Sequence, residues 1–245
     1  MKILAVRPLA DSAVTIELSD RIGAEASALV AAALETISGA IGQGAMPGAR
    51  EAAGAFCSLT VHYDCLETSQ SELLARIASL LAPLEPDARP TGRVWRLPCC
   101  YDAGAGIDLD ALSERLGLPV AGIVERHAAT RFTVYALGFL PGLPFMGELP
   151  PALALPRRPE PRTAVPAGSV AIANRMGVIY PWSSPGGWHI VGCCPVPLFD
   201  IGRPVPSLLA VGDRVEFEPV SRRQFEALRR QAESGALDAA SFGTG

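Results

Sequence analysis

Proline is the residue that most restricts what this chain can fold into. Its ring holds φ at about −65° and removes a backbone donor. The 245-residue sequence carries 22 prolines, about 9% against a usual share of about 5%. Fourteen of the 22 lie between Pro141 and Pro206, and that window holds eight charged residues: Glu148, Arg157, Arg158, Glu160, Arg162, Arg175, Asp200 and Arg203. Disordered linkers are polar and charged. This window instead reads as ordered irregular or β structure with many turns.

Composition removes several other classes. Hydrophobic residues make up 49% of the chain, enough for a real core. A net charge of −4 gives no basic footprint for nucleic acid. The apolar stretch in MKILAVRPLADS is too short for a signal peptide. The longest uncharged run, Met176 to Phe199, contains four prolines and four glycines, so it is no spanning helix. A soluble cytoplasmic protein is expected. Lys2 is the sole lysine beside twenty arginines. A Walker A loop and a lysine base in the body of the chain are therefore excluded, and anions fall to arginine, backbone amides or a partner. The six cysteines, at 57, 65, 99, 100, 193 and 194, have no zinc-type spacing. They read as small buried hydrophobes, with a redox or metal role as the alternative. No metal ligand set is expected.

Periodicity divides the chain in two. Residues 1–88 read as an α+β domain of order strand, strand, helix, strand, strand, helix. Val14, Ile16 and Leu18 alternate as a strand, and Leu59, Val61 and Tyr63 as another. A helix runs from Ile22 through Ile37 with Ser19 or Asp20 as N-cap. Ser69 and Glu72 form a capping box ahead of a second helix. Pro83 to Arg93 is the linker candidate. Residues 89–245 read as a mainly-β barrel or sandwich: strands at RVWRLPCCYD and RFTVYALGF, two short helices near 108–116 and 120–128, and short strands near 169–173, 178–180, 188–191 and 214–218. A C-terminal helix opens on a Ser221/Gln224 capping box and stops at Gly235, and the LDAASFGTG tail is expected to fray.

Three stretches could carry chemistry. Gly138–Gly142 (GFLPG) is a tight, aromatic-rimmed turn, or a structural corner. Pro156–Val170 places Arg157, Arg158 and Arg162 on a proline-stiffened loop, suited to a carboxylate or phosphate or else bonded to loop carbonyls. Tyr180–Gly192 offers Tyr180, Ser183, Ser184, close backbone approach at Gly186 and Gly187, and His189, the best-placed group for proton transfer, though a structural histidine is the competing reading. Either serine is a weak nucleophile candidate, since no G-x-S-x-G elbow surrounds it. His62 and His127 read as surface or capping residues.

The ordered series GFLPG, PRRPEPRT, VPAGSVAI, IYP, SPGGWHIVG and LFD, with PLADSAVTIEL and SLTVHYD earlier, resembles the family of KipI and the 5-oxoprolinase B subunits, also called allophanate hydrolase subunit 1-like. The resemblance implies an α+β domain followed by a cyclophilin-like barrel. It implies the B component of an ATP-dependent 5-oxoprolinase, opening 5-oxo-L-proline to L-glutamate with a KipA-like C component and a lactam-opening third subunit. ATP, with Mg as companion ion, is the implied cofactor, bound in the complex. Taken together with that resemblance, the residue-level reading makes His189 and Arg158 the catalytic candidates. Arg157, Arg158, Arg162, Tyr180, Ser184, Gly186 and Gly187 are the substrate- or phosphate-binding ones. Other members inhibit a sensor histidine kinase or are fused to urea carboxylase, which keeps a regulator and a carboxylase- or allophanate hydrolase-associated component as alternatives. The chain departs from the pattern twice. Asn174–Val178 lacks a usual Gln and Thr, and Gly192-Cys193-Cys194-Pro195 stands where Gly-Arg-Thr-Pro is usual.

Overall fold

A computed structural model describes residues 3–84 and 92–244. The chain divides into two compact units, residues 1–91 and 92–245. Most of the linker candidate, residues 85–91, lies outside the described residues.

In the first unit, β1 (Ala5–Leu9), β2 (Ala13–Glu17), β3 (Ala49–Ala55) and β4 (Ser58–Tyr63) form an antiparallel sheet of order β1-β2-β4-β3. Val14, Ile16, Leu59 and Val61 are completely buried, which is the inward half of the period-2 alternation. The helix α1 (Ala24–Gly42) packs on β3 and β4, and α2 (Gln70–Leu81) packs on α1. By length and composition α1 could cross a membrane. Its Ala26, Val30, Ala33 and Ile37 stripe is instead buried in the unit, as in a core helix. The Ser69/Glu72 capping box forms in both directions at the start of α2. The start of α1 corrects the sequence expectation. Gly23 is its N-cap, without a side-chain cap bond, and Ile22 is 60% exposed outside the helix. The Ser19 hydroxyl donates to the Arg21 carbonyl and accepts from the Arg21 N–H, a local turn that competes with capping.

The second unit is a closed sheet with a separate two-stranded ribbon. Its strands are β5 (Val94–Cys99), β6 (Arg131–Leu137), β7 (Pro144–Gly147), β8 (Arg162–Val165), β9 (Ser169–Ala173), β10 (Met176–Ile179), β11 (Ser184–Gly186), β12 (His189–Cys193), β13 (Arg214–Pro219) and β14 (Gly243–Thr244). The path runs β12-β9-β10-β7-β6-β13-β5, antiparallel except where β13 meets β5. Cys100 and Cys193 then exchange both backbone hydrogen bonds at 2.9 Å, so the end of β5 rejoins β12. Leu97, Phe132, Val134, Ile172, Val191 and Val215 fill the interior, joined by Leu112 and Ile123 from α3 (Leu109–Leu116) and α4 (Val120–Ala128). Truncating a buried Phe of this kind to Ala costs about 3–5 kcal/mol.

The outer face of β9, β10 and β12 is buried as well. Ala171, Ala173, Val178 and Ile190 pack with Leu143, Tyr180, Trp188 and Val165 of the β8–β11 ribbon. Burial on both faces explains why β9 reads as an unbroken apolar run, SVAIA.

Two further expectations are corrected. The C-terminal tail is ordered: after α5 (Arg222–Glu233), Ala239 is buried, a 3-10 turn spans Ala239–Phe242, and β14 pairs with β5. His127 is not a surface or capping residue. It is fully buried between Phe132 and Phe217, with ring centroids 5.2 and 5.0 Å away. Its Nδ1 lies 2.8 Å from the Tyr101 hydroxyl. Burial takes its pKa down to about 3, so the ring is neutral.

Candidate functional site

The outer face of the second unit carries a cavity of about 290 Å³. Trp188, Tyr180, Val178 and Phe145 line it, with Phe139 from the GFLPG turn, Leu143 just after it, and Arg157, Gly186 and Gly187 at its edge. Each wall has a local origin. The GFLPG turn closes by Gly138 N–H to Leu143 C=O (3.1 Å) and places Phe139 70% exposed at φ 68°. A bulky aromatic in the left-handed region is strained, and such strain persists where the surroundings enforce it, often at functional sites.

Gly186 is required by its neighbour: a Cβ there would lie 2.4 Å from the Tyr180 hydroxyl. Gly187 differs from the expectation of close approach, since a Cβ there meets only ordinary contacts at 3.6 Å and beyond. Burial raises the Tyr180 pKa, which keeps the phenol protonated and able to donate.

The three loop arginines separate into two roles. Arg157 is exposed, and its guanidinium sits 5.4 Å above the Trp188 ring, a cation–π contact that leaves its N–H groups for an acceptor. Arg158 and Arg162 instead turn to Asp108, whose side chain is 6% exposed. Arg162 makes a short bond to Asp108 Oδ1, Arg158 reaches the same atom at 3.5 Å, and Oδ2 accepts from the Ile190 N–H at 2.7 Å. Arg158 Nε and Arg162 Nη1 are buried without a partner among the described residues.

Asp108 is the residue that sequence reasoning missed. It precedes α3 and would be expected to cap it, but its side chain makes no cap bond and crosses to β12 and the arginine loop. Nothing local signals partners 50 to 82 positions away.

The remaining candidates support the loop rather than line the cavity. His189 is 3% exposed, and its Nε2 is 3.0 Å from the Pro156 carbonyl, which can only accept, so Nε2 carries a proton. Burial lowers its pKa. The Arg158 N–H donates to the Gly187 carbonyl at 2.7 Å. Ser184 is buried in β11, and its hydroxyl donates to the Pro185 carbonyl at 3.3 Å; Ser183 is exposed. Among the described residues, no group of three or more His, Cys, Asp or Glu could hold a metal ion.

The carboxyltransferase domain, subdomain C and D, family matches residues 4–209. The chain is 33% identical over 237 residues to the 5-oxoprolinase B subunit of Bacillus subtilis, covering 93% of this chain and 97% of that protein. It is 38% identical over 177 residues to the 5-oxoprolinase B subunit of Escherichia coli O157:H7, covering 71% and 79%. Among solved structures, TTHA0988 is similar at 36% identity and a TM-score of 0.75 over 89% of this chain. This chain spans 41% of that longer one. The ordered motifs, the two-unit architecture and these matches lead to one assignment: the chain belongs to the family of 5-oxoprolinase B subunits, within the carboxyltransferase domain, subdomain C and D, group.

Proposed function

We infer that this chain is the B component of a 5-oxoprolinase, part of a hydrolase that opens 5-oxo-L-proline to L-glutamate. The observation that carries the reading is identity over nearly the whole length of a protein named for that role. The cavity supports it in kind. Ligand sites for larger molecules run to about 300–1,000 Å³, and a cavity of about 290 Å³ suits a small ring. Aromatic walls accept the flat face of a lactam, and Arg157 at the edge suits its carboxylate.

ATP, with Mg, would supply the phosphoryl chemistry when bound. The second unit fits a triphosphate poorly by itself, because Arg158 and Arg162 are already held by Asp108 and Arg157 is the cation left at the cavity. We therefore place nucleotide binding in the assembled enzyme, with a KipA-like C component and a lactam-opening third subunit, in the cytoplasm. The barrel of the second unit (residues 89–245 by sequence) is of the cyclophilin-like kind in this reading, following in sequence an α+β unit at 1–88. His189 and Arg158 act as positioning residues: they tie Pro156 and Gly187 into a fixed frame, so that Arg157 is presented without a large ordering cost.

The test is reconstitution. Co-expressed with the KipA-like component and the lactam-opening subunit, the chain should support ADP release that depends on 5-oxoproline. A stable, complete complex with no such release overturns the reading.

A further inference from the structure

The four cysteines at 99, 100, 193 and 194 meet where the closed sheet is sealed. Cys99 and Cys194 face the interior core. Cys100 and Cys193 face the other way, in one cluster with Phe225 of α5. They are directly opposed and exchange both backbone hydrogen bonds. Such a pair has Cα atoms about 5.5 Å apart, inside the window of about 4.4–6.8 Å that a disulfide accepts, so side-chain rotation with a small closing of the two strands brings the thiols to bonding distance.

Access is unequal. Cys100 is 1% exposed. Cys193 is half-buried and lines a groove of about 470 Å³ beneath α5, together with Arg222 and Arg229. All six thiols are free in this state.

We propose that Cys100 and Cys193 are a reversible redox pair: a low-molecular-weight disulfide entering the α5 groove oxidises them to a cross-strand disulfide that locks the seam of the closed sheet. The Cys193 thiolate attacks one sulfur of the small disulfide, whose S–S bond breaks, and the released thiolate takes up the proton Cys193 lost. The Cys100 thiolate then attacks Cys193 sulfur in the mixed disulfide and expels the second small thiolate, which takes up the proton Cys100 lost. Two protein thiols are oxidised, and one disulfide is reduced to two thiols. Burial raises the pKa of both groups, so the exchange is slow at neutral pH and accelerates as pH rises. Arg222 and Arg229 oppose the rise at Cys193.

The experiment uses the full chain in buffers of reduced and oxidised glutathione, acid-quenched, alkylated and mapped without reduction by mass spectrometry. Exposed Cys65 reports that the buffer oxidises thiols. The expected product is a Cys100–Cys193 cross-linked peptide that grows with the oxidised fraction and disappears with dithiothreitol. Cys100→Ser should stop at a mixed disulfide on Cys193, and Cys193→Ser should leave Cys100 unmodified. The oxidised protein should melt several degrees higher, and either substitution should abolish that difference. Absence of the cross-link while Cys65 is modified overturns the proposal, as does a vicinal 99–100 or 193–194 disulfide. So does modification of Cys100 at the wild-type rate in a folded Cys193→Ser protein. If a variant does not fold, the wild-type map decides alone.

Discussion

Replacing Asp108 tests whether one buried carboxylate holds the site together. Three contacts converge on it: the Ile190 N–H at 2.7 Å, Arg162, and Arg158 at 3.5 Å. They are not equal. The Arg158 side chain is 32% exposed and its contact is at the limit of a hydrogen bond, so it contributes little, as exposed ion pairs do. Arg162 is 22% exposed against a carboxylate that is 6% exposed, close to a buried pair. Removing one partner of a buried pair costs about 3–5 kcal/mol, because the other charge stays desolvated and uncompensated. Asp108→Ala should cost about that much, and the orphaned Ile190 amide falls within the same figure. Asp108→Asn keeps an acceptor for Ile190 and loses the charge, so about half the cost is expected.

For a unit of this size, residues 92–245, 1 kcal/mol is worth about 2–4 °C in Tm. Asp108→Ala should therefore lower the melting temperature by roughly 10 °C, and Asp108→Asn by roughly half that. Circular dichroism melts of both variants read this directly. A double-mutant cycle with Arg162→Met should return a coupling of about 1–3 kcal/mol, and the same cycle with Arg158→Met well under 1 kcal/mol. A melting temperature within 2 °C of wild type for Asp108→Ala, or equal coupling to both arginines, would refute the ranking of the contacts.

Arg157→Ala should lower the melting temperature by no more than about 4 °C, since it loses an exposed cation–π contact of ~0.5–1 kcal/mol, and should raise KM for 5-oxoproline in the reconstituted complex about tenfold or more, with Arg157→Lys between the two. Unchanged kinetics for a folded Arg157→Ala complex would remove Arg157 from the site. His127 should make the second unit acid-sensitive: its folded pKa of about 3 lies below the unfolded value of 6.5, so the unfolded chain binds the proton first. Its contribution is fully present above pH 6.5 and is lost as pH falls toward 3, at about 1.4 kcal/mol per pH unit. Urea melts of wild type and His127→Gln across pH 4 to 7 should converge toward acid; parallel curves would contradict neutral burial.

What the sequence discloses is local. Both capping boxes, Ser69/Glu72 and Ser221/Gln224, are present as read, because the pattern needs only residues three apart. The two short helices before β6 also form at 109–116 and 120–128. The strand β3, AREAAGA, gives no period-2 apolar signal and no β-branched residue, and it is held by pairing with β4, interrupted by a register shift between Ala49 and Glu51. His127 is enclosed by Phe132 and Phe217, of which the latter is 90 residues away and brought there by the closure of the sheet. The division of labour among the arginines depends in the same way on Asp108.

That division changes what the proline-rich window does. Three cations on one stiff loop suggest a cluster aimed at a highly charged ligand. In the fold, two of them lead inward to Asp108, and the chain between Pro156 and Arg162 is pinned at His189, Gly187 and Asp108. The outcome is one exposed guanidinium on a frame fixed at three points, beside an aromatic cavity. Such a frame presents a single anionic group with little conformational entropy left to lose. It suits one carboxylate better than three phosphates. In the function proposed above, the charge demand of phosphoryl transfer, several donors converging on the transferred group, would then be met largely from outside this chain. A surface that is rigid but singly charged fits the proposal that the enzyme is divided among several chains.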